Sequence, residues 1–314
     1  MLSYLSYKAC PYIIFLYKKL WYKQTFYFSY YLFLLLFVNL ISMGQSPFIQ
    51  GHRGCRGLYP ENSLPAFQHA LEMGVTVLEM DVCLSADGKV VVSHEPYMNP
   101  LYASFSDGRP VTDATINLYQ KTYAEIKSFD VGSRGNKLFP EQAHVATYKP
   151  LLSEVLALGE AYARKTGRRI EYNIEIKSEP AEYGKSQPAT VKEFADKVWA
   201  VISAGISPST LILQSFDFAV LKYWKTAINQ GHISALVEKE TPEQMLADLG
   251  FVPEIFSPSH KYLTKAQIDF CHARHMQVIP WTINTTAEMQ KFSDWKVDGI
   301  ITDYPNRAPQ FLKP

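Results

Sequence analysis

Cysteine is scarce in this chain, and what there is does not pair. The four are Cys10, Cys55, Cys83 and Cys271, and no two stand in a CxxC spacing. A thiolate zinc site is therefore not expected. No HxH occurs either, so the strand-borne histidine pair of a metal-dependent amidohydrolase is missing. Neither charge sign is in excess: 31 Lys and Arg face 30 Asp and Glu, a formal net charge of +1. Without a basic block or stripe, the electrostatic footprint of a nucleic-acid binder is absent. Any anionic ligand must be gripped by a few placed residues and not by an overall field. No tandem repeat or low-complexity tract appears after residue 44.

Asp and Glu are absent from the first 44 residues, which are crowded with Tyr, Phe and Leu. Lys8, Lys18, Lys19 and Lys23 precede an apolar run from Phe26 to Ile41, and small residues follow at Ser42 and Gly44. That order describes a secretory signal peptide. The run is short for a membrane span, which needs about 20 apolar residues. The expectation is a signal over 1–44, with an uncleaved anchor as the alternative, and export to a periplasmic or extracellular location. No Cys follows the site, which argues against a lipid-anchored lipoprotein. Removal of Cys10 would leave three cysteines, read as small buried thiols.

From residue 45 onward short β-rich runs alternate with helical patterns. Strands are expected at Pro47–His52, Thr76–Leu84, Lys89–His94, Ile170–Ile176, Thr210–Gln214, His232–Val237, Glu254–Ser257, Gln277–Ile283 and Gly299–Thr302. Helices are expected at Ser63–Glu72, Ser153–Thr166, Thr190–Ser203, Phe218–Asn229, Pro242–Leu249, Lys265–Arg274 and Ala287–Phe292. Alternation of this kind implies βαβ units and a mostly parallel sheet. Seven or eight units over residues 45–314 indicate an α/β fold, a (β/α)8 TIM-type barrel. Nine strand candidates for eight places leave one extra. Residues 97–149 break the rhythm and read as an insertion after the second or third strand, placed over a barrel mouth as a lid.

Glu79 and Asp81 lie in an otherwise apolar run, VTVLEMDVCL. Residues two apart in a strand point to one face. Burying unpaired charge is expensive, so two converging carboxylates call for a partner, and a hard divalent cation supplies one. Asp87-Gly88 is a two-residue hairpin signal. Pairing of Ala86 with Lys89 would set His94 opposite Asp81 on the same face. The first strand ends in Gly51-His52-Arg53-Gly54. Strand ends carry the active-site groups of barrels, so His52 is a second acid/base candidate. Arg53 offers a planar cationic fork for phosphate. Asn62 or Ser63 is expected to cap the following helix.

The stretch GHRGCRGLYPENSLPAFQHALEMGVTVLEMDVCLSADGKVVVSHEP resembles the N-terminal signature of glycerophosphodiester phosphodiesterases. The matching elements are HRG, PEN, the ExD of Glu79 and Asp81, DG, and the second histidine. Further matches are Asn173 to Lys177, Gln214-Ser215-Phe216, Pro280 to Asn284, and Asp298-Gly299-Ile300 leading to Thr302-Asp303-Tyr304-Pro305. They keep the family's order across residues 51–305. Glu95 departs from it, since the family usually has Asp after the second histidine.

The resemblance implies Glu175 as a third metal carboxylate beside Glu79 and Asp81, with one Ca2+ or Mg2+ ion. Asn173, Glu175 and Lys177 share one strand face. Lys177 would neutralise phosphate charge, Gln214 would orient a phosphate oxygen or the nucleophile, and Trp281 would wall the pocket against glycerol carbons. Asp303 reads as structural, as do His69, His144, His232, His260, His272 and His275. The implied reaction is metal-dependent hydrolysis of a small glycerophosphodiester to glycerol 3-phosphate and an alcohol. His52 and His94 would divide the proton work, and the substrate's own glycerol hydroxyl is an implied nucleophile. Two rivals stand beside this: a phospholipase-type enzyme using an apolar rim in 97–149, and a non-catalytic ligand-binding barrel. Membrane contact is expected only through an uncleaved N-terminal segment or the lid.

Overall fold

Where β-branched runs and capped helices alternate, strands and helices form in that order. The computed structural model describes residues 47–311, so the expected signal over 1–44 lies outside the described residues. Their elements are β1 (Phe48–Gly51), α1 (Leu64–Glu72), β2 (Val77–Leu84), β3 (Val90–Val92), α2 (Tyr123–Lys127), α3 (Leu152–Thr166) and β4 (Glu171–Ile176). After them come α4 (Val191–Gly205), β5 (Leu211–Ser215), α5 (Phe218–Tyr223), β6 (His232–Val237), α6 (Pro242–Leu249) and β7 (Ile255–Pro258). The last are α7 (Lys265–His272), β8 (Gln277–Val278), α8 (Thr286–Asp294) and β9 (Gly299–Thr302). Ser63 accepts from Ala66 N at 3.3 Å at the head of α1. Ser63, and not Asn62, is therefore the cap.

Parallel ladders join the strands in the order β8–β7–β6–β5–β4–β2–β1–β9. Between β8 and β9, Val278 O accepts from Asp298 N (3.0 Å), Pro280 O from Ile301 N (3.1 Å), and Ile301 O from Ile283 N (3.0 Å). Eight parallel strands thus nearly close a (β/α)8 barrel. The eighth ladder is shorter than the expected Gln277–Ile283. Pro280, which has no N–H to donate, interrupts it.

The ninth strand candidate is β3. It pairs antiparallel to β2, with Val82 opposite Val92 and Cys83 opposite Val91. At Val82 the other edge of β2 is taken by β4, so β3 occupies the edge that β1 leaves free. The hairpin register differs by one residue from the tight-turn expectation. Ser85 pairs with Lys89 across a three-residue loop: Ser85 N donates to Lys89 O at 3.0 Å and Gly88 N to Ser85 O at 3.0 Å. Gly88 has φ 70°, the left-handed residue of such a loop. The partner of Asp81 in this register is Ser93, whose N donates to Asp81 O at 2.9 Å, and not His94.

Along each strand the side chains alternate between two environments. Leu78, Met80, Val82, Ile174, Ile176 and Leu213 face the helices in the main core. The inward positions stack in layers. At one end of the barrel Val77, Ile212, Ile255, Ile279 and Ile301 form an apolar plug with Phe48 and Trp281 packed against it. Two residues beyond Val77, Ile212 and Ile301 stand the polar groups Glu79, Gln214 and Asp303, and these begin the site. Part of the 97–149 insertion has a small core of its own, Met98, Tyr102, Val111, Leu118, Ile126 and Val131, packed beside Cys83 and Val91.

Candidate active site

The parallel register brings the carboxylates together. Glu79 pairs with Asn173 and Asp81 with Glu175 across β2 and β4, and Glu175 pairs with Gln214 across β5. Neighbouring strands lie about 4.8 Å apart, and inward residues at one level share a face. Ligand oxygens of Glu79, Asp81 and Glu175 consequently fall within 4.8 Å of one another. All three residues are buried. At that spacing like charges repel by about 3 kcal/mol per pair at an effective dielectric of 20.

Nearby donors offset part of this. Glu79 Oε2 accepts from Arg53 N at 2.8 Å, and Glu79 Oε1 from Gln214 Nε2 at 2.8 Å. Asp81 Oδ2 accepts from Asn62 Nδ2 at 2.8 Å and lies 3.2 Å from Arg53 Nε. Glu175 Oε1 meets Lys177 Nζ at 2.8 Å. Burial and then the charge of Asp81 hold the Glu79 carboxyl well above its usual range. Burial would raise Asp81 too, but the charges of Arg53, His94 and Lys177 and the Asn62 hydrogen bond together outweigh it and hold Asp81 low. Asp81 Oδ1 is buried and has no hydrogen-bond partner. Three converging oxygens, one of them orphaned, with a neighbour resisting ionisation, are a donor set that fits a hard divalent cation.

Two residues of the β1–α1 loop sit in the left-handed region without being glycine, Arg53 at φ 49° and Asn62 at φ 53°. Such strain persists where surrounding contacts fix it. Arg53's turn aims its N–H at Glu79, while its Nη1 donates to Glu61 Oε1 at 2.7 Å. The PEN motif is thereby explained: Glu61 anchors Arg53, Asn62 anchors Asp81, and Ser63 follows as helix cap.

His52 and His94 reach the same cleft from different sides. His52 Nδ1 donates to Asp303 Oδ1 at 2.6 Å. Asp303 also accepts from Arg56 Nε (2.9 Å) and Asn284 Nδ2 (2.7 Å). Burial, followed by the Arg56 charge, lowers the His52 ring to about 4, so it is neutral at neutral pH. With Nδ1–H committed, Nε2 is free for proton transfer, 4.0 Å from Glu79 Oε2. Asp303 is thus more than structural: it sets the tautomer of His52. His94 lies beyond the end of β3, and its Nδ1 is 3.1 Å from Glu95 Oε1.

A cleft of about 160 Å3 collects these groups. His52, Arg53, Glu79, His94, Glu175, Lys177, Gln214 and Trp281 all line it, and Asp81 is buried beside Glu79 and Glu175. Gln214 turns its amide to Glu79 and Trp281 donates through Nε1 to Ser257 O at 3.0 Å. Arg56 and Phe216 also line the cleft and were not among the expected residues. Phe216 stands edge-on to Trp281 with centroids 5.5 Å apart. The second Arg of GHRGCRG and the Phe after Gln214-Ser215 were the available signals for them.

A nearly closed β/α barrel with a buried acidic trio, two imidazoles and three cations at one mouth defines a class: a barrel enzyme working on a phosphate ester. The glycerophosphoryl diester phosphodiesterase family model matches residues 52–307, and the chain belongs to that family of phosphoric diester hydrolases. It is 26% identical over 266 residues to a glycerophosphodiester phosphodiesterase of Bacillus subtilis, covering 81% of this chain and 83% of the relative. Lysophospholipase D GDPD1 of Rattus norvegicus is 27% identical over 287 residues, covering 83% and 84%. A crystal structure of a candidate glycerophosphoryl diester phosphodiesterase from Silicibacter pomeroyi superimposes with TM-score 0.77 at 29% identity, over 85% of this chain and 93% of that one.

Proposed function

We propose that this chain hydrolyses small glycerophosphodiesters to glycerol 3-phosphate and an alcohol, with one divalent cation and two-histidine proton transfer. The supporting observation is the convergence of Glu79, Asp81 and Glu175 beside two imidazoles in one cleft. When bound by those three carboxylates, Ca2+ or Mg2+ would supply Lewis acidity to the phosphoryl group. Arg53 and Lys177 present N–H donors to the charge that develops on the phosphoryl oxygens. One imidazole takes the proton of the attacking glycerol hydroxyl and the other protonates the leaving alcohol; water, activated by the same pair, then opens the resulting cyclic phosphate to glycerol 3-phosphate. Phe216 and Trp281 cover the apolar carbons of the substrate. Gln214 holds Glu79 in place from the floor of the cleft.

A coupled glycerol 3-phosphate release assay across headgroups tests this. EDTA is expected to abolish turnover, and Ca2+ or Mg2+ to restore it. His52→Ala and His94→Ala are each expected to cost about 10²- to 10⁴-fold in kcat. Full activity in metal-free buffer, or a wild-type rate in either variant, would remove that component.

Two observations support a second substrate class. A relative is named lysophospholipase D, and the insertion exposes Leu101 and Leu138 at 50% and 68%. Comparing glycerophosphocholine with lysophosphatidylcholine decides between the two. Export through the N-terminal segment is part of the same proposal, and fractionation of cells expressing the full chain is its measurement.

A further inference from the structure

Glu95 has so far only been a departure from the family pattern, outside the acidic trio. Its surroundings give it a task. Its side chain is 15% exposed. One oxygen, Oε1, faces His94 Nδ1 at 3.1 Å; the other, Oε2, accepts from the Tyr102 hydroxyl at 3.1 Å. The backbone is fixed as well, since Ser93 Oγ donates to Glu95 O at 2.6 Å and is itself held by Lys149 Nζ at 2.8 Å. Lys149 lies 5.6 Å from the centre of the Tyr102 ring. Tyr102 and Lys149 both come from the 97–149 segment, and Tyr102 is rooted in that segment's own core. Across the cleft, His52 meets Asp303 through the same ring nitrogen.

We propose that Glu95, clamped by the Tyr102 hydroxyl, is the positioning residue for His94, so that the insertion is part of the proton-transfer apparatus. A carboxylate on Nδ1–H fixes the tautomer and aims Nε2 at the substrate, as for any imidazole used in acid–base work. Both histidines then present the same nitrogen to the cleft, each backed by a carboxylate from a different part of the chain. The proposal rests on the reading of His94 as a proton-transfer group.

The test is a double-mutant cycle on glycerophosphodiester hydrolysis, with thermal melts confirming that each variant folds. Glu95→Gln is expected to lower kcat by about 10- to 100-fold with little change in KM. Tyr102→Phe, which deletes one hydroxyl, is expected to lower kcat roughly five-fold. The pair His94→Ala/Glu95→Gln should be no slower than His94→Ala alone, because both act through one group. A wild-type rate in Glu95→Gln with a slow His94→Ala overturns the Glu95 assignment and leaves the hydrolase reading standing. Losses that multiply in the double variant overturn it too. A wild-type rate in His94→Ala removes the base on which the proposal rests. Nitrogen NMR of the His94 ring at alkaline pH reads the tautomer without turnover: Nδ1–H supports the assignment, and Nε2–H rejects it.

Discussion

At the scale of single residues, the contact between His52 and Asp303 has consequences away from turnover. In an unfolded chain an imidazole takes up a proton below about pH 6.5. In the fold burial and Arg56 hold the His52 ring unprotonated down to about 4. Between those two values the unfolded state binds more protons, so the stability contributed by neutral His52 is present above about pH 6.5 and lost as pH falls towards 4. The loss is bounded at about 3 to 4 kcal/mol for a single group over that interval. Urea unfolding of metal-free protein is expected to show a steeper decline between about pH 6 and pH 4 in the wild type than in His52→Asn. Equal slopes would mean that the ring is not protected. Asp303→Asn keeps the shape but removes the negative charge and leaves one acceptor oxygen for His52 Nδ1, Arg56 and Asn284 to share. Its kcat is expected to fall about 10- to 100-fold, measured in the glycerol 3-phosphate assay.

At the scale of elements, the β1–α1 loop decides whether the site assembles. Gly54 has φ 84°, and a Cβ there would stand 2.7 Å from the carbonyl carbon of Ala66 and 2.8 Å from Phe67 N. Both are backbone atoms of α1, which cannot move without dragging Ser63 and Asn62. Gly54→Ala is expected to cost about 2 kcal/mol or more from strained φ and overlap together, read as a lower urea midpoint with an unchanged m-value. This loop also shows where a sequence is and is not readable. Strand alternation at Glu79 and Asp81 and at Asn173, Glu175 and Lys177 was legible, because a period of two fixes the face whatever the neighbours do. The barrel was legible for the same reason, one βα unit at a time. The hairpin register was not: Ser85 closes a three-residue loop through its own side chain, with Lys89 N donating to Ser85 Oγ at 2.9 Å, and that shifts His94 by one place. Asp303 was misread because its partner is 251 positions away. The duties of Glu61, Asn62 and Arg56 likewise depend on folded neighbours that no local pattern announces.

At the scale of the whole molecule, the barrel stores repulsion at one mouth that an ion can relieve. The apolar plug and helix-facing core hold the β2 and β4 registers, so Glu79, Asp81 and Glu175 cannot drift apart to lower their mutual energy. Burial and Asp81 therefore hold the Glu79 carboxyl above its ordinary range, and the sign follows. Without a cation the folded state keeps a proton that the unfolded state has already released, so folding grows less favourable as pH rises above the usual Glu value of about 4.3. A divalent cation needs the ionised form, and protons compete with it for the site. Its stabilisation is thus expected to be small at about pH 5 and to grow towards pH 8. At a free concentration 100 times Kd it would reach about 2.7 kcal/mol, or some 5 to 11 °C in Tm for a domain of this size at about 2–4 °C per kcal/mol. Thermal melts in EDTA and in excess Ca2+ or Mg2+ across that pH range measure it. A cation effect independent of pH would place the ion away from these carboxylates. A Glu79→Gln variant that keeps the full pH-dependent gain would show that some other titrating group controls it.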